Sequence, residues 1–273
     1  MAKKKSKLGQ VFLIDKNIVK KAVETAEVTE GEWIIEVGPG KGILTEALLN
    51  TGANVIAFEL DRKLIQKLKK DFYLLIGDRL WIFHEDFLKA DIRRLAEDFG
   101  VKKFKFVSNI PYYITQPIFD KLIRDKDLYS AIFMTIQREV AQRIIAKPGT
   151  SEYGSLTIYM NYHFVPKIEF GISSSCFRPR PKVSSSFISL HPRRNPPVQL
   201  KDERLFFRIV RASFSMRRKK LRTVLRSVMR SQFESVRNEA EELIDLDRRG
   251  ETLSMEEFAL LANLFAQHEN EPN

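Results

Sequence analysis

Two short stretches and two single carboxylates carry the residue types that could do chemistry. The first stretch is Asn109-Ile110-Pro111-Tyr112-Tyr113, directly after an apolar run. The Asn109 side-chain oxygen and the carbonyl that precedes Pro111 can both accept hydrogen bonds from an amino group, and Tyr112 can stack on a flat ring. The second is Glu36-Val37-Gly38-Pro39-Gly40-Lys41-Gly42, which follows another apolar run and opens a helical pattern. In a parallel sheet such a turn lies at the carboxyl edge of a strand, where ligands bind. Its spacing narrows the ligand. A dinucleotide fingerprint needs a third glycine where Ile43 stands, and a phosphate loop needs Lys-Ser/Thr after Gly42. A tight strand-to-helix connection is the plainer alternative. Glu59, at the end of the next apolar run, is placed to accept ribose hydroxyls; Glu59 and Asp61 could instead simply start a helix. Asp86, after the third run, could hold an adenine amino group.

These residues need a scaffold, and the apolar periodicity supplies one. Strands are expected over 33–37, 54–58, 80–84, 105–107 and 131–135, with helices over 15–28, 42–49, 62–70, 115–123 and 139–145. Asp15 is the expected N-cap of the first helix. Strand and helix in alternation imply crossover units, hence an α/β fold with a mostly parallel sheet covered on both faces. After Phe177 the texture turns to Arg-Pro-Arg-Pro and a serine run, and from residue 201 only helical patterns appear. The expected division is therefore 1–195 for the α/β domain and 196–273 for a small all-helical C-terminal domain.

Charge separates the two. The chain has 273 residues and a net charge of +11. Residues 178–230 hold 16 Lys and Arg against 2 Asp and Glu, whereas residues 231–273 hold 3 against 11. A block this basic suits a polyanion such as nucleic acid, or merely a solvated face. Arg218, Arg222, Arg226 and Arg230 recur every four residues, so one helix would align them opposite Leu221, Val224, Leu225 and Val228. The single cysteine, Cys176, excludes an intrachain disulfide. No run approaches the roughly 20 apolar residues of a membrane span, and no apolar stretch follows the basic start as in a secretory signal. The four histidines lack metal-ligand spacing. A cytoplasmic globular protein without metal or membrane is expected.

The glycine loop resembles the first motif of S-adenosylmethionine-dependent methyltransferases, and Asn109-Ile110-Pro111-Tyr112 resembles the motif of enzymes that methylate exocyclic amino groups of bases. With Leu8-Gly9-Gln10-Val11-Phe12-Leu13, Gln137-Arg138-Glu139-Val140-Ala141, Tyr153-Gly154, Phe177-Arg178-Pro179-Arg180-Pro181-Lys182-Val183 and Ser215-Met216-Arg217-Arg218-Lys219-Lys220-Leu221, the chain resembles the KsgA-type rRNA adenine N6,N6-dimethyltransferases along nearly its whole length.

That resemblance implies a Rossmann-like methyltransferase domain with a seven-stranded sheet and S-adenosylmethionine as cofactor. It implies dimethylation of N6 of two adjacent adenines near the 3′ end of small-subunit rRNA, on an immature ribosomal subunit, by a monomer with a part in ribosome assembly. Cofactor contacts are implied for Gln10, Val11, Leu13, Gly38, Gly40, Glu59, Leu60, Asp86, Phe87 and Asn109. Catalytic positions are Asn109, Pro111, Tyr112 and Phe177, the two rings flanking the base, and RNA contacts are Arg217, Arg218, Arg222 and Arg226. Where family members often carry Asn, this chain has Val11, so a contact there could come only from its backbone. Two other functions stay open: an Erm-like methylation of large-subunit rRNA, and a ribosome-binding assembly factor.

Overall fold

The computed structural model describes residues 11–268; Gln10 and the basic residues 3–7 lie outside it. In chain order the elements are β1 (Phe12–Leu13), α1 (Lys16–Thr25), β2 (Trp33–Val37), α2 (Ile43–Leu49), β3 (Asn54–Phe58), α3 (Arg62–Asp71), β4 (Leu80–Phe83), α4 (Ile92–Asp98), β5 (Phe104–Asn109), α5 (Thr115–Arg124), β6 (Tyr129–Gln137), α6 (Arg138–Ile144), α7 (Ser155–His163), β7 (Phe164–Ile172), β8 (Phe177–Arg178), β9 (Ser185–Pro192), α8 (Glu203–Ser215), α9 (Leu221–Met229), α10 (Ser231–Leu243) and α11 (Met255–His268).

Seven strands form one sheet in the order β4-β3-β2-β5-β6-β9-β7, and β1 pairs separately with β8. The pairs β4–β3, β3–β2, β2–β5 and β5–β6 are parallel, and β9 runs antiparallel to β6. Central strands such as β3, with Val55, Ile56 and Ala57 fully buried, are apolar on successive residues because helices cover both faces. Aspartates start the helices: Asp15 accepts from the N–H groups of Asn17 and Ile18, Asp61 from that of Lys63, and Asp91 from that of Arg94. Each satisfies a donor that a first turn leaves open.

Strand order reverses between β2 and β5, and open α/β sheets bind ligands in the crevice at such a point. The two strands share only the Ile34–Lys105 and Ile35–Phe106 register pairs. Beyond them the Ser108 hydroxyl donates to the Val37 carbonyl at 2.6 Å and accepts from its N–H at 3.2 Å. One side chain thus holds apart, at a fixed distance, the strand ends that carry Gly38 and Asn109.

The chain divides into two compact units, residues 1–141 with 165–192 and residues 142–164 with 193–273. The continuous division at 195/196 expected from the sequence differs from this, because α7 joins the C-terminal helices. Ile158 and Tyr162 of α7 share a core with Phe206 and Ile209 of α8, Leu225 of α9, Phe233 of α10 and Phe265 of α11. The Tyr153 hydroxyl donates to the Leu253 carbonyl at 2.8 Å in the same unit. Strand β9 begins inside the serine run that reads as a loop: Ser185, Ser186 and Ser189 are buried small residues whose polarity hides the strand.

Candidate functional site

The first unit contains a cleft of about 940 Å³, counting the space open to solvent at its mouth. Ten of the residues expected from the sequence line it: Val11, Leu13, Gly38, Gly40, Glu59, Leu60, Asp86, Phe87, Asn109 and Pro111. They come from the ends of β2, β3, β4 and β5 and from the segment at β1.

The glycine loop is shaped by its conformation and its cover. Gly40 has φ +59, and a Cβ there would stand 2.8 Å from the Phe12 ring. The β1 segment therefore lies directly over the loop, held by its antiparallel pairing of Leu13 with Phe177. Lys41 Nζ stands 5.5 Å from the centre of the same Phe12 ring.

Glu59 is 6% exposed. Its Oε1 accepts from the N–H groups of Leu60 at 2.8 Å and Asp61 at 2.9 Å, and Oε2 accepts the longer 3.3 Å bond from the Gly40 N–H. A carboxylate offers about four acceptor sites, so the free one is on Oε2. A diol would meet Glu59 through that oxygen rather than symmetrically through both. On the far wall Asp86 Oδ1 accepts from the Leu88 N–H at 3.1 Å, and Phe87 packs edge-on against Phe58.

Asn109 ends β5 with its Oδ1 buried and without a hydrogen-bond partner. Asn109 and Pro111 line the cleft and also a second cavity, shared with Val11, Ile110, Tyr112 and Tyr113. The Tyr112 hydroxyl lies 2.6 Å from the Ser185 hydroxyl of β9, and the Thr115 hydroxyl donates to the Tyr112 carbonyl at 2.9 Å. Burial raises the Tyr112 pKa against the pull of the Ser185 bond, so the phenol stays neutral. Tyr112 is therefore clamped at both its hydroxyl and its backbone, and Tyr113, 60% exposed, stands on the cleft wall.

Six expected residues do not line the cleft: Tyr112, which lines the second cavity, and five that line neither. Phe177 is fully buried in the core, packed with Leu13, Val19 and Phe187, instead of facing a base; an apolar ring on a strand paired with β1 gains more from the core than from solvent. Arg217, Arg218, Arg222 and Arg226 belong to the second unit. The four-arginine stripe does not form on one helix. Arg218 lies in the turn before α9, and Arg230, at φ +52, breaks the chain between α9 and α10. The first N–H groups of α9, on Leu221 and Arg222, donate to the carbonyls of Arg248 and Leu246 rather than continuing an upstream helix. The acidic tail also takes up the charge. Arg217 pairs with Glu251 at 2.8 Å, Arg222 with Asp247 at 2.5 Å and Arg226 with Glu234 at 3.0 Å, and only Arg218 of the four has no carboxylate partner among the described residues. Periodicity shows helix faces but cannot show partners 25 residues downstream.

Sequence reasoning also missed Phe12, Lys41, Glu85, Tyr113 and Ile118 in the cleft wall. Phe12 lies between Val11 and Leu13, and Lys41, Glu85 and Tyr113 adjoin Gly40, Asp86 and Tyr112; Ile118 carried no such signal.

Behind the loop lies Glu36, 1% exposed, which accepts from the Thr45 hydroxyl at 2.7 Å. Burial pushes its pKa up to about 8, the Thr45 bond opposes this, and the Glu59 charge adds to it. A carboxyl held neutral in the fold but free to ionise when unfolded costs stability as pH rises from its ordinary value of 4.5 to about 8. The slope is at most about 1.4 kcal/mol per pH unit. Glu36→Gln is expected to flatten that dependence, so its stability relative to the parent should be higher at pH 8 than at pH 5. Denaturant unfolding at the two pH values checks this; a constant difference would refute it.

Among the described residues no cluster of three or more His, Cys, Asp or Glu could hold a metal, and no helix is long and apolar enough to cross a membrane. The structure is similar to a dimethyladenosine transferase from Plasmodium falciparum, with TM-score 0.77 and 24% identity over 94% of this chain and 98% of that one. It is also similar to the 23S rRNA methyltransferase ErmE, with TM-score 0.68 and 24% identity over 95% and 100%. At that identity both likenesses speak for the fold. In sequence, the chain is 43% identical to "Ribosomal RNA small subunit methyltransferase A" of Geobacillus sp. (strain WCH70) over 95% of this chain and 90% of the relative. It is 42% identical to the protein of the same name from Clostridium botulinum (strain Loch Maree / Type A3), over 94% and 92%. The family profile for ribosomal RNA adenine dimethylase matches residues 1–267, so a cleft built from the glycine loop, Glu59, Asp86 and Asn109 sits in a chain that belongs to that family.

Proposed function

We propose that this chain uses S-adenosylmethionine to dimethylate N6 of two adjacent adenines near the 3′ end of small-subunit rRNA, acting as a monomer on an immature subunit in the cytoplasm. One observation carries the reading: Asn109 Oδ1 is a buried acceptor with no partner, at the junction of the cleft and the second cavity. A buried unpaired acceptor costs about 1–3 kcal/mol, and an amino group presented from the second cavity would satisfy it.

The residues present fit the cofactor. Glu59 Oε2 keeps acceptor capacity for a ribose hydroxyl, and Asp86 has a carboxylate oxygen for an adenine amino group. Leu60 and Phe87 offer apolar surface for the adenine ring, and Val11, Leu13, Gly38 and Gly40 would lie along the remainder. When bound, the cofactor supplies an electrophilic methyl group on a sulfonium. An aromatic amine is a poor nucleophile because its lone pair is delocalised into the ring. Asn109 Oδ1 and the Ile110 carbonyl, accepting the two N6 protons, favour a nitrogen with its lone pair localised and bear part of the positive charge that develops there. Tyr112, clamped by Ser185, would stack on the base once it has left its helix. Phe177 could share that role only by leaving the core.

Two readings compete less well. The likeness to ErmE is at 24% identity, whereas the relatives at 42–43% carry the small-subunit name. A scaffold without catalysis has no use for Glu59, Asp86 and Asn109 converging on one cleft. The unit of residues 142–164 and 193–273 is read as the ribosome-binding part, with Arg217, Arg218, Arg222 and Arg226 as phosphate contacts; three of these must exchange a carboxylate for a phosphate, which exposed pairs worth about 0–1 kcal/mol allow. Incubating immature small and large subunits with methyl-labelled cofactor and mapping the modified base tests the whole reading. Label on two adjacent adenines of the small-subunit RNA is expected; label only on large-subunit RNA would overturn it.

A further inference from the structure

Helix α3 presents five cations, four of which no carboxylate answers among the described residues. Arg62, Lys63, Lys67, Lys69 and Lys70 are all exposed, and the only acid on the helix, Asp71, pairs with Lys67. Among the described residues no carboxylate forms an ion pair with Arg62, Lys63, Lys69 or Lys70. Lys69 and Lys70 lie in the last turn, where the helix dipole favours them. Arg62 and Lys63 lie in the first turn, where it opposes them, and the nearby Asp61 is engaged as cap on the Lys63 N–H. The arrangement thus holds unfavourable charge without an internal partner, unlike Arg217, Arg222 and Arg226 of the second unit, which are paired with acids.

Just past the helix, Tyr73 is 69% and Leu74 is 74% exposed. A large aromatic left in solvent beside free cations is the combination that binds single-stranded nucleic acid, cations on the phosphates and ring on a base. The support beneath is rigid. Ile65 and Leu68 are buried, and Leu68 and Phe72 press so closely on Gly42 that a Cβ there would stand 2.8 Å from each. The helix starts directly after Glu59 and Leu60 of the cleft.

We infer that α3 and Tyr73 form a second RNA-binding surface, which takes an unpaired stretch of the rRNA substrate outside the methylated adenines. Phosphates lie along Arg62, Lys63, Lys69 and Lys70, and one base stacks on Tyr73. This rests on the proposed function, since it presumes that rRNA is the substrate.

The test measures binding of protein-free small-subunit rRNA and of immature small subunits at several salt concentrations. The proteins are the parent, the triple variant Lys63→Gln/Lys69→Gln/Lys70→Gln, Tyr73→Ala and Tyr73→Phe. Glutamine is nearly as good a helix former as lysine, so the fold should persist, with unchanged thermal unfolding and cofactor affinity. The slope of log affinity against log salt should shrink by about 2–3 in the triple variant, at roughly 0.7–0.9 per lost contact. Tyr73→Ala should bind RNA about 5- to 100-fold more weakly, and Tyr73→Phe should bind like the parent. An unaltered slope together with parental affinity in Tyr73→Ala overturns the surface. Parental binding to free RNA with weaker binding to subunits would assign it to a ribosomal protein and equally overturn it. A parent that methylates no rRNA sinks the reading of the cleft, and this surface with it.

Discussion

Asn109→Ala is expected to slow single-turnover methylation by about 10²–10³-fold at saturating RNA and cofactor, with RNA affinity within a few-fold of the parent. The magnitude is that of removing one preorganised polar group from a site where charge develops. The affinity is expected to persist because phosphate contacts, which supply most of the binding to nucleic acid, are made elsewhere. The folded protein should lose little: Asn109 Oδ1 makes no internal hydrogen bond, so its removal leaves no partner stranded. Thermal unfolding of the variant should therefore match the parent or rise slightly. A variant that methylates at the parental rate would remove Asn109 from the chemistry.

Glu59→Ala is expected to weaken cofactor binding by about 10- to 100-fold, the equivalent of the roughly 1.5–3 kcal/mol of a hydrogen bond to a charged group. Oε1 is occupied by the N–H groups of Leu60 and Asp61, and the loss of Glu59 also releases these and the Gly40 N–H. Glu59→Gln separates the two effects. It keeps a carbonyl oxygen for the loop but loses the charge, so its affinity should fall between parent and Ala. Calorimetry with the cofactor alone, without RNA, decides. Equal affinity in all three proteins would mean that Glu59 serves only to pin the loop.

The α/β half was legible because its signals are local. Strands 33–37 and 54–58 agree with the structure residue for residue, since buried parallel strands are uninterrupted apolar runs between a helix end and a turn. The Asp15 cap is equally local. Strands β7 and β9 and helices α4 and α7 were not legible. β9 carries three serines and a histidine among its eight residues, and its burial comes from β6 on one side and β7 on the other. Segment 142–164 joins the C-terminal helices through contacts with residues distant in sequence, such as Tyr153 with Leu253, 100 positions away, which no window along the chain can detect.

By itself the sequence determined which groups could do chemistry: a glycine loop spaced wrongly for a dinucleotide, carboxylates at two strand ends, and an amide near a proline and two tyrosines. Residue type and spacing fix these, because strand ends in a parallel sheet fall along one edge whatever lies between them. Only the tertiary structure decided which of these groups are free to act. Asn109 Oδ1 is left without a partner, Glu59 keeps one acceptor site open on Oε2, Phe177 is sealed in the core, and Arg217, Arg222 and Arg226 are answered by an acidic tail while, among the described residues, four of the five cations of α3 have no carboxylate partner. Availability depends on what lies within a few ångströms, and here those neighbours are supplied by distant parts of the chain.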